Sequence, residues 1–163
     1  MKQESEARVL VADDDPSIRQ LLCTIVRREH LDVDCVADGQ EAIDHLIEHE
    51  YSVILLDLMM PRVDGFAVID YLRKHPPATK PVVLVITAYA DQRFKKVDPN
   101  IVAGVLRKPF EIAELGNIVR LCVTGFDEEI AHLLNASSDT AIRRIATQLR
   151  YSGLIPPSHS NNN

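Results

Sequence analysis

The stretch Val53-Ile54-Leu55-Leu56-Asp57-Leu58-Met59-Met60-Pro61 holds four consecutive apolar residues that run directly into one acid. A short continuous apolar run is typical of a strand that is buried on both faces, as in a parallel sheet. A lone carboxylate inside such a strand would be costly. Asp57 is therefore expected at its carboxyl end, where open α/β sheets carry their ligand sites. This stretch alone allows two interpretations of Asp57, a reactive carboxylate or a helix cap after a core strand.

On both sides of this stretch, short apolar runs alternate with apolar residues at helical spacing. The runs predict strands at 8–12, 33–36, 53–56, 81–86 and 103–106. The helical spacing predicts helices that begin near residues 16, 38 and 64, a helix over 111–123 and a weaker surface helix over 91–97. This alternation predicts one parallel sheet with right-handed crossovers and helices on both faces.

Three Asp residues are placed to begin helices. Asp15 precedes Pro16, which suits a first helical position, Asp38 forms a capping box with Glu41, and Asp64 restarts a helix before a glycine. Each of four helices has a predicted apolar face. The faces are Ile18, Leu21, Leu22, Ile25 and Val26 in the first, Ala42, Ile43, Leu46 and Ile47 in the second, Phe66, Ile69 and Leu72 in the third, and Ile112, Leu115, Val119 and Cys122 in the last. These faces are expected to pack on the sheet.

Polar residues follow four of the predicted strands, namely Asp13 and Asp14, Asp57, Thr87 and Lys108. Because the carboxyl ends of parallel strands meet at one edge, these side chains are expected to converge. Neighbouring carboxylates raise one another's pKa unless a cation intervenes, and their hard oxygens suit Mg²⁺. A carboxylate nucleophile beside a metal ion, an ammonium and a hydroxyl is equipped to form an aspartyl phosphate.

The composition bears on three questions: whether the chain binds nucleic acid, whether it enters a membrane, and in which compartment it works. A net charge of −6 disfavours a general nucleic-acid partner. No apolar run approaches the roughly 18 residues of a membrane span, and the charged N-terminus does not predict a signal peptide. Cys23, Cys35 and Cys122 fall at apolar positions without a C-x-x-C motif, which favours buried free thiols over redox or metal-binding roles. A reducing, cytoplasmic compartment is expected.

Four separated motifs occur in order: VLVADDDPSIR at 9–19, LDLMMPRVDG at 56–65, VITA at 85–88 and LRKPF at 106–110. Together they resemble the signature of two-component response-regulator receiver domains, over about residues 7–124. The resemblance implies a flavodoxin-like α/β fold, a doubly wound five-stranded parallel sheet of order 2-1-3-4-5. It also implies phosphorelay signalling rather than turnover of a metabolite, with self-catalysed phosphoryl acceptance and slow autodephosphorylation.

In the receiver family, the acid equivalent to Asp57 accepts a phosphoryl group from a histidine kinase or phosphotransfer protein. The resemblance implies that Asp14, Asp57 and the main-chain carbonyl of Met59 bind Mg²⁺, with Asp13 reaching the ion through water. The phosphoryl-binding and switch residues that it implies are Thr87, Ala88 and Lys108. It also implies that the peptide between Lys108 and Pro109 is cis.

Three residues bear on how the family's switch and its dephosphorylation would work in this chain, namely Val105, Met59 and Tyr89. The family's switch aromatic, three residues before the lysine, is Val105 here, so the usual readout is in doubt and Tyr89 is a candidate replacement. In the family, the side chains two past the aspartate and two past the threonine gate the hydrolytic water. Met59 has no good hydrogen-bonding group to orient that water, and Tyr89 could crowd its approach. A long-lived phosphoryl state is therefore expected.

The chain beyond the receiver region predicts a short C-terminal helical extension over 125–154 and a disordered tail over 155–163. The extension is predicted to form two short amphipathic helices with few basic groups. So few basic groups argue against a role in DNA binding. Packing on the receiver or on a second copy is the favoured interpretation. A downstream protein target is expected to dock on residues 91–123. A homodimer partner is expected to dock on the same residues or on the chain beyond residue 124.

Three other function classes stay open on the sequence. A haloacid-dehalogenase-like phosphatase would use Asp13 and Asp15, but that family needs an acid pair after the lysine, and Asp57 would be unexplained. A nucleotide-binding flavodoxin-like module would need a phosphate-binding glycine motif, and the chain has none. A pseudo-receiver that is never phosphorylated would act as an interaction module alone.

Overall fold

The computed structural model describes residues 7–88, 97–124 and Thr147. In these ranges the elements are β1 (Arg8–Ala12), α1 (Pro16–Arg28), β2 (Asp32–Val36), α2 (Gly39–Glu48), β3 (Val53–Leu56), α3 (Gly65–Lys74), β4 (Val82–Thr87), β5 (Val102–Arg107) and α4 (Ile112–Thr124). The strands form one parallel sheet of order β2-β1-β3-β4-β5, which confirms the predicted fold. The predicted helix over 91–97 (except Val97), the extension over 125–154 (except Thr147) and the tail over 155–163 lie outside the described residues.

The central strand β3 is buried on both faces, and each of its four residues is 0% exposed. Val53 and Leu55 belong to the core that α1 and α4 cover, whereas Ile54 and Leu56 belong to the core that α2 and α3 cover. Because alternate residues of a strand point to opposite faces, a strand between two helical layers must be apolar at every position. Asp57 follows directly at the carboxyl end of this strand and is itself buried.

The Asp residues begin their helices as predicted. Asp15 accepts hydrogen bonds from the backbone N–H groups of α1, and Asp64 accepts one in the first turn of α3. Asp38 accepts from the N–H of Glu41, but the Glu41 carboxylate bonds the N–H of Ala37 and not that of Asp38. One of the two bonds of the predicted capping box is therefore present, and the other goes to the residue before the cap.

The predicted apolar faces need correction at two residues. Ile47 is 66% exposed, because it lies in the last turn of α2, which covers the outer part of the sheet beside α3. Ile112 is 44% exposed, because the buried part of α4 begins only at Leu115. The core-facing side of α4 also includes Ile118 and Leu121, which lie outside the predicted apolar face.

The prediction of three free thiols is wrong for two of the cysteines. Cys23 on α1 and Cys35 on β2 form a disulfide, with their Cα atoms 6.7 Å apart. The two residues are neighbours because α1 packs against β2, a tertiary contact that spacing in the sequence does not reveal. Cys122 on α4 is a free cysteine, and burial raises the pKa of its thiol to about 12. Within the described ranges, no helix is both long and apolar enough for a membrane span.

Candidate functional site

The acids of two neighbouring strands meet at one edge of the sheet. Asp13 and Asp14 follow β1, Asp57 follows β3, and the N–H of Asp57 donates to the carbonyl of Ala12 at 2.9 Å. One oxygen of each acid lies within 4.8 Å of those of the other two. Asp13 is 0% exposed and Asp57 is 6% exposed, whereas Asp14 faces solvent. The sheet therefore holds three carboxylates in a close, partly buried group.

Lys108 reaches this group from the far side of β4. Its N–H donates to the carbonyl of Thr87 at 3.0 Å, which holds the end of β5 beside the end of β4. Its Nζ lies 2.6 Å from Oδ2 of Asp13 and 3.2 Å from Oδ2 of Asp57. The peptide that joins Lys108 to Pro109 is cis, as the resemblance implies. One ammonium therefore bridges the two buried carboxylates of the site.

Burial and charge act in opposite directions in this cluster. Burial raises the pKa of Asp13 above its usual range, although the hydrogen bond and the charge of Lys108 work to lower it. For Lys108, burial works to lower the pKa, but the carboxylates of Asp13 and Asp57 more than offset it, so its pKa is raised. Lys108 is therefore a fixed positive charge at neutral pH. One ammonium among three acids leaves a local excess of negative charge, which a divalent cation would balance.

Two further predicted site residues, Thr87 and Ala88, lie at the carboxyl end of β4. Thr87 is its last residue and is 0% exposed, and Ala88 follows at the surface. Tyr89, the candidate gate and switch residue, is not among the described residues. Val105 lies in β5, half-buried against the core that α2 and α3 cover. The position of the family's aromatic switch therefore holds a small packed side chain.

Arg19 lies in the first of the four motifs and is a site residue for which no role was predicted. Its Nη1 donates to the carbonyl of Asp13 at 2.8 Å and lies 3.3 Å from the carbonyl of Asp14. The guanidinium thus braces the backbone of the acidic loop from the first turn of α1. A long basic side chain five or six residues after an acidic strand end, on the helix that follows, is the signal that could have indicated this contact.

The loop after Asp57 is held by contacts to its own site and to α2. The N–H of Met59 donates to Oδ1 of Asp57 at 3.2 Å, while the Met59 side chain is 40% exposed. Arg62 forms an ion pair with the buried carboxylate of Asp38, and the N–H of Gly39 donates to the carbonyl of Val63 at 2.8 Å. The loop that carries Met59 is therefore tied down at both ends.

Gly65, the first residue of α3, lies against the backbone of Asp57 and Leu58. A Cβ at this position would overlap the carbonyl oxygen of Asp57 and lie 2.8 Å from Cα of Leu58. Because both obstacles are backbone atoms, Gly65→Ala is expected to lower the free energy of unfolding by about 2 kcal/mol, within the usual cost of overpacking. Urea denaturation of wild type and variant measures this loss.

Gly116→Ala is the matched control. A Cβ at Gly116 meets the Oε1 atom of Glu29 at 2.9 Å, and this atom is the end of a flexible side chain that can move aside. Replacing a mid-helix glycine by alanine also adds up to about 1 kcal/mol of helix propensity. We expect the Gly116 variant to be as stable as wild type or more so. Equal losses in the two variants would contradict the steric explanation.

A haloacid-dehalogenase-like site would need Asp13 and Asp15 to act together, but Asp15 does not face the site. One oxygen of its carboxylate accepts from the N–H groups of Ser17 and Ile18 at 2.8 and 3.1 Å, so it caps α1. Asp13 faces Lys108 and Asp57 instead. The observed geometry thus separates the two acids of that motif and leaves Asp57 at the centre of the site.

The comparison with protein families identifies one match. The model described as the response regulator receiver domain matches residues 9–120. Among curated proteins, the regulatory protein AtoC of Escherichia coli is 30% identical over 139 residues, which is 80% of this chain and 29% of AtoC. The transcriptional regulatory protein ResD of Bacillus subtilis is 37% identical over 92 residues, 56% of this chain and 37% of ResD. The chain thus matches about a third of the length of these relatives.

Two solved structures extend the similarity to three dimensions. The receiver domain of the Francisella response regulator 1452 is 32% identical with a TM-score of 0.61, over 72% of this chain and 96% of that one. The response regulator TrrA of Thermotoga maritima, solved in complex with Mg²⁺ and BeF, is 28% identical with a TM-score of 0.62, over 71% of this chain and 98% of that one.

Proposed function

Because the chain belongs to the response-regulator receiver family, we propose that it is a phosphorelay receiver whose Asp57 accepts a phosphoryl group from a histidine kinase or phosphotransfer protein. Receivers of this family are signal transducers and not enzymes of metabolism. The observation that carries the proposal is the cluster of Asp13, Asp14 and Asp57, in which the ammonium of Lys108 bonds Asp13 and Asp57. Such a group is equipped for phosphoryl transfer to a carboxylate.

The donor set of the site fits Mg²⁺. Three carboxylates with mutually close oxygens are hard ligands, and the exposure of Asp14 leaves room for the waters that Mg²⁺ retains. We assign Asp14, Asp57 and the carbonyl of Met59 as direct ligands and Asp13 as a ligand through water. Bound there, Mg²⁺ supplies positive charge against the phosphoryl oxygens. The relative TrrA, solved in complex with Mg²⁺ and BeF, supports Mg²⁺ as the ion of this site.

Each residue of the site has its own role in the transfer of the phosphoryl group. A carboxylate oxygen of Asp57 attacks the phosphorus atom, and the bond from phosphorus to the donor's imidazole nitrogen breaks. Lys108 moves its hydrogen bond from Asp57 to a phosphoryl oxygen, and Thr87 and the adjoining Ala88 bind the others. Since Lys108 is already charged and held by Asp13, this stabilisation requires little reorganisation.

The test of this function is phosphorylation by a small donor. The full chain is incubated with Mg²⁺ and acetyl phosphate, and its intact mass is followed. We expect one phosphoryl group per chain, and no adduct once EDTA removes the metal ion. A chain that binds Mg²⁺ but never gains the phosphoryl group would instead favour the pseudo-receiver alternative.

Met59 is expected to slow the loss of the phosphoryl group, because its thioether cannot orient an attacking water. Met59→Asn introduces an amide that can, and one added hydrogen bond of about 1.4 kcal/mol would accelerate dephosphorylation about tenfold. Phosphate release after removal of the donor measures the rate. Met59→Leu is the control, since it keeps size and adds no polar group. Equal rates in the Asn and Leu variants would contradict the gating role.

The output of the switch is proposed to be a protein contact. With Val105 at the aromatic position, the family's usual coupling is absent, and Tyr89 is our candidate for its replacement. A downstream protein would dock on residues 91–123, and a second copy would dock on the same residues or on the chain beyond residue 124. Size-exclusion chromatography of both phosphorylation states tests the homodimer. A cytoplasmic location remains a prediction from the sequence.

A further inference from the structure

Cys23 and Cys35 form a pair that the phosphoryl site does not use. Their Cα atoms lie 6.7 Å apart, within the range of roughly 4.4–6.8 Å that protein disulfides span, and their sulfurs are bonded. The pair joins two elements, because Cys23 belongs to α1 and Cys35 to β2. Since β2 is the outermost strand of the sheet on its side, the pair links this edge to the helix beside it.

The two cysteines differ in their access to solvent. Cys23 is 2% exposed and lies in the core beside Leu22 and Val26, whereas Cys35 is exposed on the edge strand. A small molecule from solution can therefore reach the sulfur of Cys35 before that of Cys23. This asymmetry is the arrangement of an entry thiol with a resolving thiol behind it.

We propose that Cys23 and Cys35 are a reversible thiol–disulfide exchange site that takes low-molecular-weight disulfides and thiols as co-reactants and clamps α1 to β2 when oxidised. In the oxidising direction, the Cys35 thiolate attacks a small disulfide, which breaks its S–S bond, forms a mixed disulfide and releases one small thiolate. Cys23 then loses its proton to solvent and attacks the sulfur of Cys35. The internal disulfide forms and the second small thiolate leaves.

The exchange balances without a further reactant. The two protein thiols lose two electrons and two protons, and the small disulfide takes them up to become two thiols. In the reducing direction, a small thiolate attacks Cys35, the exposed sulfur, and Cys23 is the leaving group. A second small thiolate then frees Cys35 from the mixed disulfide.

Cys122 provides an internal reference. It lies on α4, and burial raises the pKa of its thiol to about 12, so very little thiolate is present at neutral pH. It is therefore expected to remain a thiol under conditions in which Cys23 and Cys35 exchange. A change at Cys122 would report unfolding of the domain and not exchange at the proposed site.

The oxidised clamp has a measurable effect on stability. The disulfide closes a loop between residues 12 positions apart, which restricts the unfolded chain. We expect the oxidised protein to melt on the order of 5–10 °C above the reduced protein. Equal melting temperatures of the two forms would overturn the clamp.

The test uses the full, unphosphorylated chain without Mg²⁺, so that its result is independent of the phosphorelay proposal. The protein is equilibrated in buffers of reduced and oxidised glutathione, its free thiols are alkylated after an acid quench, and intact and peptide masses are recorded. The wild type is expected to lose two hydrogen atoms in oxidising buffer and to regain them on reduction. Cys122→Ala is expected to behave in the same way.

Two single variants identify the order of attack. Cys23→Ser is expected to hold one glutathionyl group on Cys35, because the resolving thiol is gone. Cys35→Ser, a change at an exposed position, is expected to form neither an internal disulfide nor an adduct at Cys23 while circular dichroism shows it folded. The proposal is overturned if Cys23 and Cys35 stay alkylatable in wild type at every glutathione ratio. It is also overturned if Cys23 of the Cys35 variant reacts as fast as Cys35 of the Cys23 variant.

Discussion

Asp57→Asn is expected to abolish the phosphoryl adduct that Mg²⁺ and acetyl phosphate produce. The amide removes the nucleophilic oxygen, and no other carboxylate of the site has the same position. Asp13 is fully buried against Lys108, and Asp14 lies at the exposed side of the cluster. Intact mass spectrometry of wild type and variant after the same incubation measures the effect.

The stability of the Asp57 variant distinguishes a chemical role from a structural one. Replacing one of three neighbouring carboxylates by an amide relieves repulsion, so we expect the variant to unfold at the same urea concentration as wild type or a higher one. Asp70→Asn is the matched control, since Asp70 lies on the exposed side of α3 and pairs only with Arg73 and Lys74 in the described contacts. It should be phosphorylated like wild type. Full phosphorylation of folded Asp57→Asn would refute Asp57 as the acceptor.

Lys108→Met is expected to lower the free energy of unfolding by about 3 kcal/mol in the absence of Mg²⁺. The side chain of Lys108 is 15% exposed, and its Nζ bonds the carboxylates of Asp13 and Asp57. Removing the ammonium leaves a buried carboxylate without its cationic partner and adds to the repulsion among three acids. Urea denaturation with and without MgCl₂ measures the loss.

The magnesium dependence separates this loss from simple repacking. If Mg²⁺ binds among the acids, it supplies the missing positive charge, so the deficit of the Lys108 variant relative to wild type should shrink as MgCl₂ is added. Lys74→Met is the control, because Lys74 is 60% exposed and its surface pair with Asp70 is expected to contribute less than about 1 kcal/mol. A deficit that is unchanged by Mg²⁺ would argue against a cation site next to Lys108.

Several elements could be predicted because their causes are local. The apolar run of β3 indicates a strand covered on both faces, and all four of its residues are buried. Asp15 and Asp64 cap helices through bonds to N–H groups two or three residues away. The order of the strands followed from the resemblance to receivers, since the alternation alone indicates parallel strands but not their neighbours.

The remaining details depend on contacts between distant parts of the chain. The guanidinium of Arg19 reaches back to the acidic loop only because α1 starts beside it. Ile47 has the spacing of a core residue, yet it is exposed because the last turn of α2 is not covered. The pairing of Cys23 with Cys35 has no motif and arises from the packing of α1 on β2.

The amino-acid sequence alone determined which residues form strands and helices and which polar groups lie at the strand ends, because hydrophobic periodicity and capping act within a few neighbouring residues. Only the tertiary structure decided that the ammonium of Lys108 bridges Asp13 and Asp57, residues 95 and 51 positions away. That contact requires the register of parallel strands and the crossovers between them, which long-range packing selects and no short stretch of sequence encodes.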